Sequence, residues 1–310
     1  MKRIPAFFLL IFSAQMVIAQ NAKLDSLSNL ISKSVSDTAR IKLILNKVYL
    51  LSNFNLDSSI NLALRTLNEN KRIGYYRGEV DLRIRLVYNY AYKGNHKAAK
   101  EQLDFLRTYV KAPKDSSDFA LVFSSYGIFY GMQSKYDSSI YFYEKAICIY
   151  EKTAVKKQLG AAYSNIAIGF QQQSNFPIAL FYFQKSLKVS EELNDELQQA
   201  YTYLNIANIN VTTGDSVRAE KTFLKTIGLA KKLKLKVVEL YAYTNLSAMY
   251  MEGKKWQKSY DFAIKAADLA HGHNQHAIFH DAEAAKLHVE HRDQQTTPAS
   301  EQGTKKKSAA

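Results

Sequence analysis

Three sets of residues in this chain have the types and spacing to do chemistry. Six of the seven His lie between His271 and His291. On a helix His276 and His280 share a face, with Glu283 about one turn further on, a donor set that suits Zn²⁺ or Cu²⁺. The competing reading is a polar terminal helix with exposed His and no pocket to exclude water, since His-rich tracts are compositional signals first. No metal site is assigned on that basis. The second set is Asn165, Asn205 and Asn245, spaced by 40 residues. Four residues earlier stand Ala161, Tyr201 and Tyr241, and three later Ile168, Asn208 and Ala248. An amide side chain both donates and accepts. Such a ladder can hydrogen-bond the backbone of an extended peptide while Tyr201 and Tyr241 add apolar contact. It can equally satisfy helix ends or neighbouring repeats, and the sequence leaves both open. The third is Cys148, alone among apolar neighbours, expected as a small core residue rather than a nucleophile.

No catalytic constellation accompanies them. The chain has no G-x-S-x-G elbow, no G-x-x-x-x-G-K phosphate loop and no H-E-x-x-H pair. Its carboxylates are scattered without a recurring pair. A non-enzymatic protein without a cofactor is expected.

The elements that position these residues can be read from composition and repetition. Gly 12 and Pro 4 in 310 residues are too few for the turns of an all-β sandwich or barrel, so a helix-rich protein is expected. A hydrophobic fraction of 47% excludes global disorder, and a single Cys excludes an intramolecular disulfide framework. Shifting the sequence by 40 residues aligns a small column, Ser59, Ala99, Ser139, Ala179, Ala219 and Ser259. Four residues later run Ala63, Leu103, Tyr143, Phe183, Phe223 and Ala263; seven later, Thr66, Leu106, Ala146, Ser186, Thr226 and Ala266. Three before the small column run Leu56, His96, Tyr136, Phe176, Ser216 and Trp256, read as bulky filler beside it. Large apolar positions recur at helical spacing. Short breakers divide each unit: Gly94-Asn95, Ser134-Lys135, Ser174-Asn175, Gly214-Asp215 and Gly253-Lys254. Each unit is therefore expected to be a helical hairpin, and such hairpins bury their apolar faces only by stacking.

The columns resemble the tetratricopeptide repeat. Asn165-Ile166-Ala167-x-x-Phe170, followed by Asn175-Phe176-x-x-Ala179-x-x-x-Phe183-x-x-Ser186-Leu187, carries its order of apolar, small, aromatic, turn, aromatic, small, aromatic, small. The likeness spans about residues 40 to 270, at a longer period than the usual 34, as in the longer-helix subclass. The resemblance implies an all-α, right-handed solenoid of about six hairpins, with a concave groove lined by the first helix of each. It also implies that Asn165, Asn205, Asn245, Tyr201, Tyr241 and Asn208 face that groove as partner-binding residues. A regular Lys or Arg column is lacking, so no clamp for a terminal carboxylate is expected.

The ends read differently. Lys2 and Arg3 precede an apolar run, Ile4 to Phe12, and Val17-Ile18-Ala19 offers a cleavage site, so residues 1–19 are expected to be an export signal. Residues 20–38 are expected to hold a capping helix, with Asp37 as N-cap of the next, and 39–272 the six-repeat array. Residues 273–293 read as a polar helix and 294–310 as a disordered tail. The net charge of +14 is concentrated partly at Lys231, Lys232, Lys234 and Lys236 and at Lys305 to Lys307, and solvated helix faces explain it better than nucleic acid. The expected protein lies in the periplasm or envelope of a Gram-negative bacterium, without a membrane span after cleavage, and binds a protein or peptide. The alternative is a sensory or regulatory module working with a separate histidine kinase, as in the sensor part of signalling proteins with this repeat.

Overall fold

A computed structural model describes residues 23–271, apart from 53–54, 111–115 and 154, together with Leu287. The expected export signal, the metal candidates His276, His280 and Glu283, the polar helix at 273–293 and the tail at 294–310 all lie outside the described residues. Helices carry the fold, and no strand occurs among the described residues. Helix α1 covers residues 23–32. Six hairpins follow: α2 (Asp37–Ser52) with α3 (Leu56–Ile73), α4 (Tyr76–Tyr92) with α5 (His96–Tyr109), α6 (Ser116–Gly131) with α7 (Tyr136–Tyr150), α8 (Lys156–Gln172) with α9 (Phe176–Glu192), α10 (Glu196–Thr212) with α11 (Ser216–Lys232), and α12 (Lys236–Glu252) with α13 (Trp256–His271). They form two compact units, one ending at Asp195 and one beginning at Glu196. In the first, α2, α4, α6 and α8 lie side by side, each second helix packs on its own partner, and α3, α5 and α7 pack also on the next first helix. In the second, α10 and α12 lie side by side with α11 between its partner and α12.

The repeating columns form the core. All six residues of the small column are buried, as are all six of the columns four and seven later. The small column is split between Ala and Ser for a physical reason. Ser59 Oγ donates to the Val48 carbonyl at 2.7 Å, Ser139 Oγ to Gly127 at 2.7 Å and Ser259 Oγ to Ser247 at 2.9 Å. A small hydroxyl thus lets the second helix approach the first and satisfies itself on the backbone it meets. The column three residues before the small one fills less than expected. None of Leu56, His96, Tyr136, Phe176, Ser216 and Trp256 is buried, because it opens the second helix, where the turn leaves one side to solvent.

The turns repeat as strictly as the helices. Gly94, Ser134, Ser174, Gly214 and Lys254 all have positive φ, and so do Gly74, Asn194 and Lys234 in the links between hairpins. A left-handed residue follows these helix ends, and Gly takes that conformation at least cost, whereas α5 ends on the extended Val110 and α7 on the right-handed Glu151. In the last hairpin Lys254 is the left-handed member of the Gly253-Lys254 pair, with φ 56°, whereas Gly253 is an ordinary right-handed residue at φ −74°. The residue after the turn caps the next helix: Asn55, Asn95 and Asp215 accept from the backbone N–H three residues on, at 2.9 to 3.1 Å. Asp37 is not a cap. It is already helical, and Ser36 Oγ stands opposite the Ala39 N–H instead. Cys148 is exposed, not core.

Candidate functional site

The first helices of the first unit share a stripe of residues in register. On α4 it runs Asp81, Arg85, Tyr88 and Tyr92; on α6 and the residue just after it, Leu121, Ser125, Ile128 and Met132; on α8, Ala161, Asn165, Ile168 and Gln172. Along this stripe lies a cleft of about 570 Å³, bordered by Tyr88 and Tyr92 from α4, Ile128 and Met132 from the α6 end, and Asn165, Ile168 and Gln172 from α8. Its depth comes from missing side chains. Gly127 and Gly131 of α6 line it, and behind them Tyr136, Ser139 and Tyr143 of α7 reach the same space. A Cβ on Gly127 would stand 2.7 Å from Tyr143 Cε2, so only glycine lets this ring lie against α6.

The polar groups at the cleft are neutral and available. Tyr143 is only 2% exposed, yet its hydroxyl makes no hydrogen bond to a described residue. Burial holds its phenol well above the ordinary tyrosine value, with Tyr88 and Tyr150 adding to the rise. Burial likewise pushes Tyr88 up to about 12, against the pull of Arg85. Both are therefore donors across the physiological range. The Asn165 amide also has no hydrogen-bond partner among the described residues.

The remaining candidates lie in the second unit. Asn245 Nδ2 donates to Asn208 Oδ1 at 2.7 Å, which ties α12 to α10 and spends these two amides on the stack. Asn205 is half-buried and makes no hydrogen bond to a described residue, while Tyr201 and Tyr241 are exposed on the same helices. Thus Asn165 lines a cleft, Asn208 and Asn245 pair with each other, and Tyr201, Tyr241 and Asn205 present themselves to solvent to differing degrees.

Sequence reasoning missed Arg85, Tyr88 and Tyr143. The signal was present: Arg85 and Ser125 occupy the same column as Asn165, two periods and one period earlier. Ser125 is buried and bonded to the Leu121 carbonyl at 2.8 Å, so of the two only Arg85 keeps a polar group that is not bonded within its own helix. No group of three or more His, Cys, Asp or Glu placed to hold a metal occurs among the described residues.

Known proteins share the architecture. No family model matches the chain, and no curated protein matches it. A tetratricopeptide repeat protein from Parabacteroides merdae is 15% identical, over 89% of this chain and 97% of that one, with a TM-score of 0.53. A Rap protein complexed with Competence and Sporulation Factor is 14% identical, over 90% and 80%, with a TM-score of 0.63. NprR in complex with its cognate peptide NprX is 14% identical, over 80% and 72%, with a TM-score of 0.55. With the six hairpins and their common period, these likenesses show that the chain has a fold of the tetratricopeptide-repeat type.

Proposed function

We propose that this protein is a non-enzymatic interaction module that binds a polypeptide segment along the face of its first helices. The observation that carries this reading is the cleft between α4, α6 and α8, where the Tyr143 hydroxyl and the Asn165 amide both lack a hydrogen-bond partner among the described residues. Neither group is committed within the described protein, and a peptide backbone supplies an acceptor for the one and both an acceptor and a donor for the other. Ile128, Met132 and Ile168 give the apolar contact, and the volume falls in the range of ligand sites. Asn205, Tyr201 and Tyr241 serve as further partner-binding residues on α10 and α12, while Asn208 and Asn245, bonded to each other, hold these two helices in place for them. Two of the similar structures support the reading: one is complexed with Competence and Sporulation Factor and the other with its cognate peptide. No helix among the described residues is long and apolar enough to cross a membrane. With residues 1–19 as an export signal, the binding takes place in the cell envelope.

The test is a titration of peptides selected from a random library against wild type, Tyr143→Phe and Asn165→Ala. Each variant is expected to weaken binding by about 1 kcal/mol, near fivefold, while the melting temperature stays level or rises. Unchanged affinity in both variants would remove the cleft from the site.

A further inference from the structure

Arg85 is a cation without an ion-pair partner among the described residues. It sits on α4 one turn before Tyr88, which borders the cleft. Its guanidinium carbon lies 4.6 Å from the centre of the Tyr49 ring and 5.4 Å from that of Tyr88. It makes no hydrogen bond or ion pair with any described residue. The nearest acid on its own helix face, Asp81, is committed to Arg77, which donates to it from Nε at 3.0 Å and is ion-paired with it through Nη2 at 2.9 Å. Burial holds the Arg85 guanidinium below the ordinary arginine value, and Tyr88, Tyr49 and Asp81 offset this only in part.

The other arginines of the same helix behave differently. Arg77 is paired with Asp81 and Asp118, and Arg83 with Glu79. A fold that satisfies two guanidinium groups and leaves the third half-buried between two rings has fixed its direction without using its donors. The five N–H groups of Arg form a planar fork that matches a carboxylate. Aromatic faces hold that plane by cation–π attraction while leaving its edge open. The cleft beside it is bordered by tyrosine hydroxyls, amides and aliphatic side chains, none of which carries a negative charge to compete.

We infer that Arg85 is the receptor for a carboxylate on the bound polypeptide, whose neighbouring residues occupy the cleft between α4, α6 and α8. This rests on the reading of the cleft as a polypeptide site and names the charge its ligand must carry.

The experiment is affinity selection from a synthetic library of random heptapeptides with free carboxyl termini, using the full chain and its Arg85→Gln variant. Wild type is expected to enrich acidic peptides or peptides that require their free terminus. Resynthesis with Glu→Gln or Asp→Asn, and separately with an amidated terminus, identifies which carboxylate is read. The selected peptide is expected to bind R85Q about tenfold to a hundredfold more weakly, from the loss of a hydrogen-bonded charge pair. Neutralising the peptide is expected to cost wild type that same factor and R85Q nothing further. R85Q should melt at the wild-type temperature or above it, which a purely structural arginine would not allow. Peptides selected without any carboxylate preference, or equal affinity for R85Q, overturn the inference and leave the cleft a neutral peptide site. Recovery of no peptide at all overturns the polypeptide reading and this inference with it.

Discussion

Phe223→Ala is expected to destabilise the unit formed by α10–α13 by about 3–5 kcal/mol, read as a lower midpoint in urea at unchanged slope. Phe223 is fully buried on α11, in a core with Ala219, Ile227, Leu246 and Tyr250. The ring occupies the column that holds Phe183 and Tyr143 in earlier repeats, where the second helix meets the first. Its neighbours at Ala207, Ala219 and Ala230 are already small and cannot grow into the space. A cavity therefore remains, and its cost adds to the lost transfer energy. Total stabilities of domains run to about 5–15 kcal/mol, so one such change removes a large share. A loss below about 1 kcal/mol would mean that this column is not the seam between the paired helices.

Glu79→Ala is expected to cost about 3–5 kcal/mol in the first unit. Glu79 Oε1 accepts from Arg83 Nε at 2.7 Å and is ion-paired with Nη2 at the same distance, and Oε2 accepts from Asn70 Nδ2 at 3.2 Å. Arg83 donates from Nη1 to Gln102 Oε1 at 2.7 Å, and its guanidinium lies 3.5 Å over the centre of the Phe105 ring. Both partners are largely buried, so removing the carboxylate strands a desolvated cation. Replacing the pair together, Glu79→Leu with Arg83→Met, is expected to recover most of the loss, because apolar groups need no counter-ion. Equal stability of the single and double variants in urea would contradict this account of the network.

Much of the fold was legible because burial repeats. A column of small residues can recur every 40 positions only if each copy meets the same neighbour, and Ser59 to Ser259 do so. The details that escaped depend on geometry that residue type does not encode. Gly253 looks like a helix breaker, but the left-handed position falls on Lys254, and the turn's register decides which residue bears the strain. Cys148 seemed apolar by its neighbours. It lies four residues after Glu144 and seven after Tyr141, on a face where both are exposed, and helical phase outweighs adjacency. The cleft was hidden because it is made by absence. Gly127 and Gly131 remove side chains from α6, and Tyr143 of the helix behind becomes part of the first-helix surface. Arg85 escaped because its column changes chemistry, from Arg through Ser to Asn, so no single residue type repeats.

The most direct measurement of polypeptide binding at this face is photo-crosslinking by position. A photoreactive residue replaces Tyr92, 69% exposed at the edge of the cleft, or Phe181, 52% exposed on the second helix α9. With a library-selected peptide, or with the partner from envelope extract, adducts are expected from position 92 and not from position 181. Adducts from 181 alone would place the binding surface on the second helices and contradict the account.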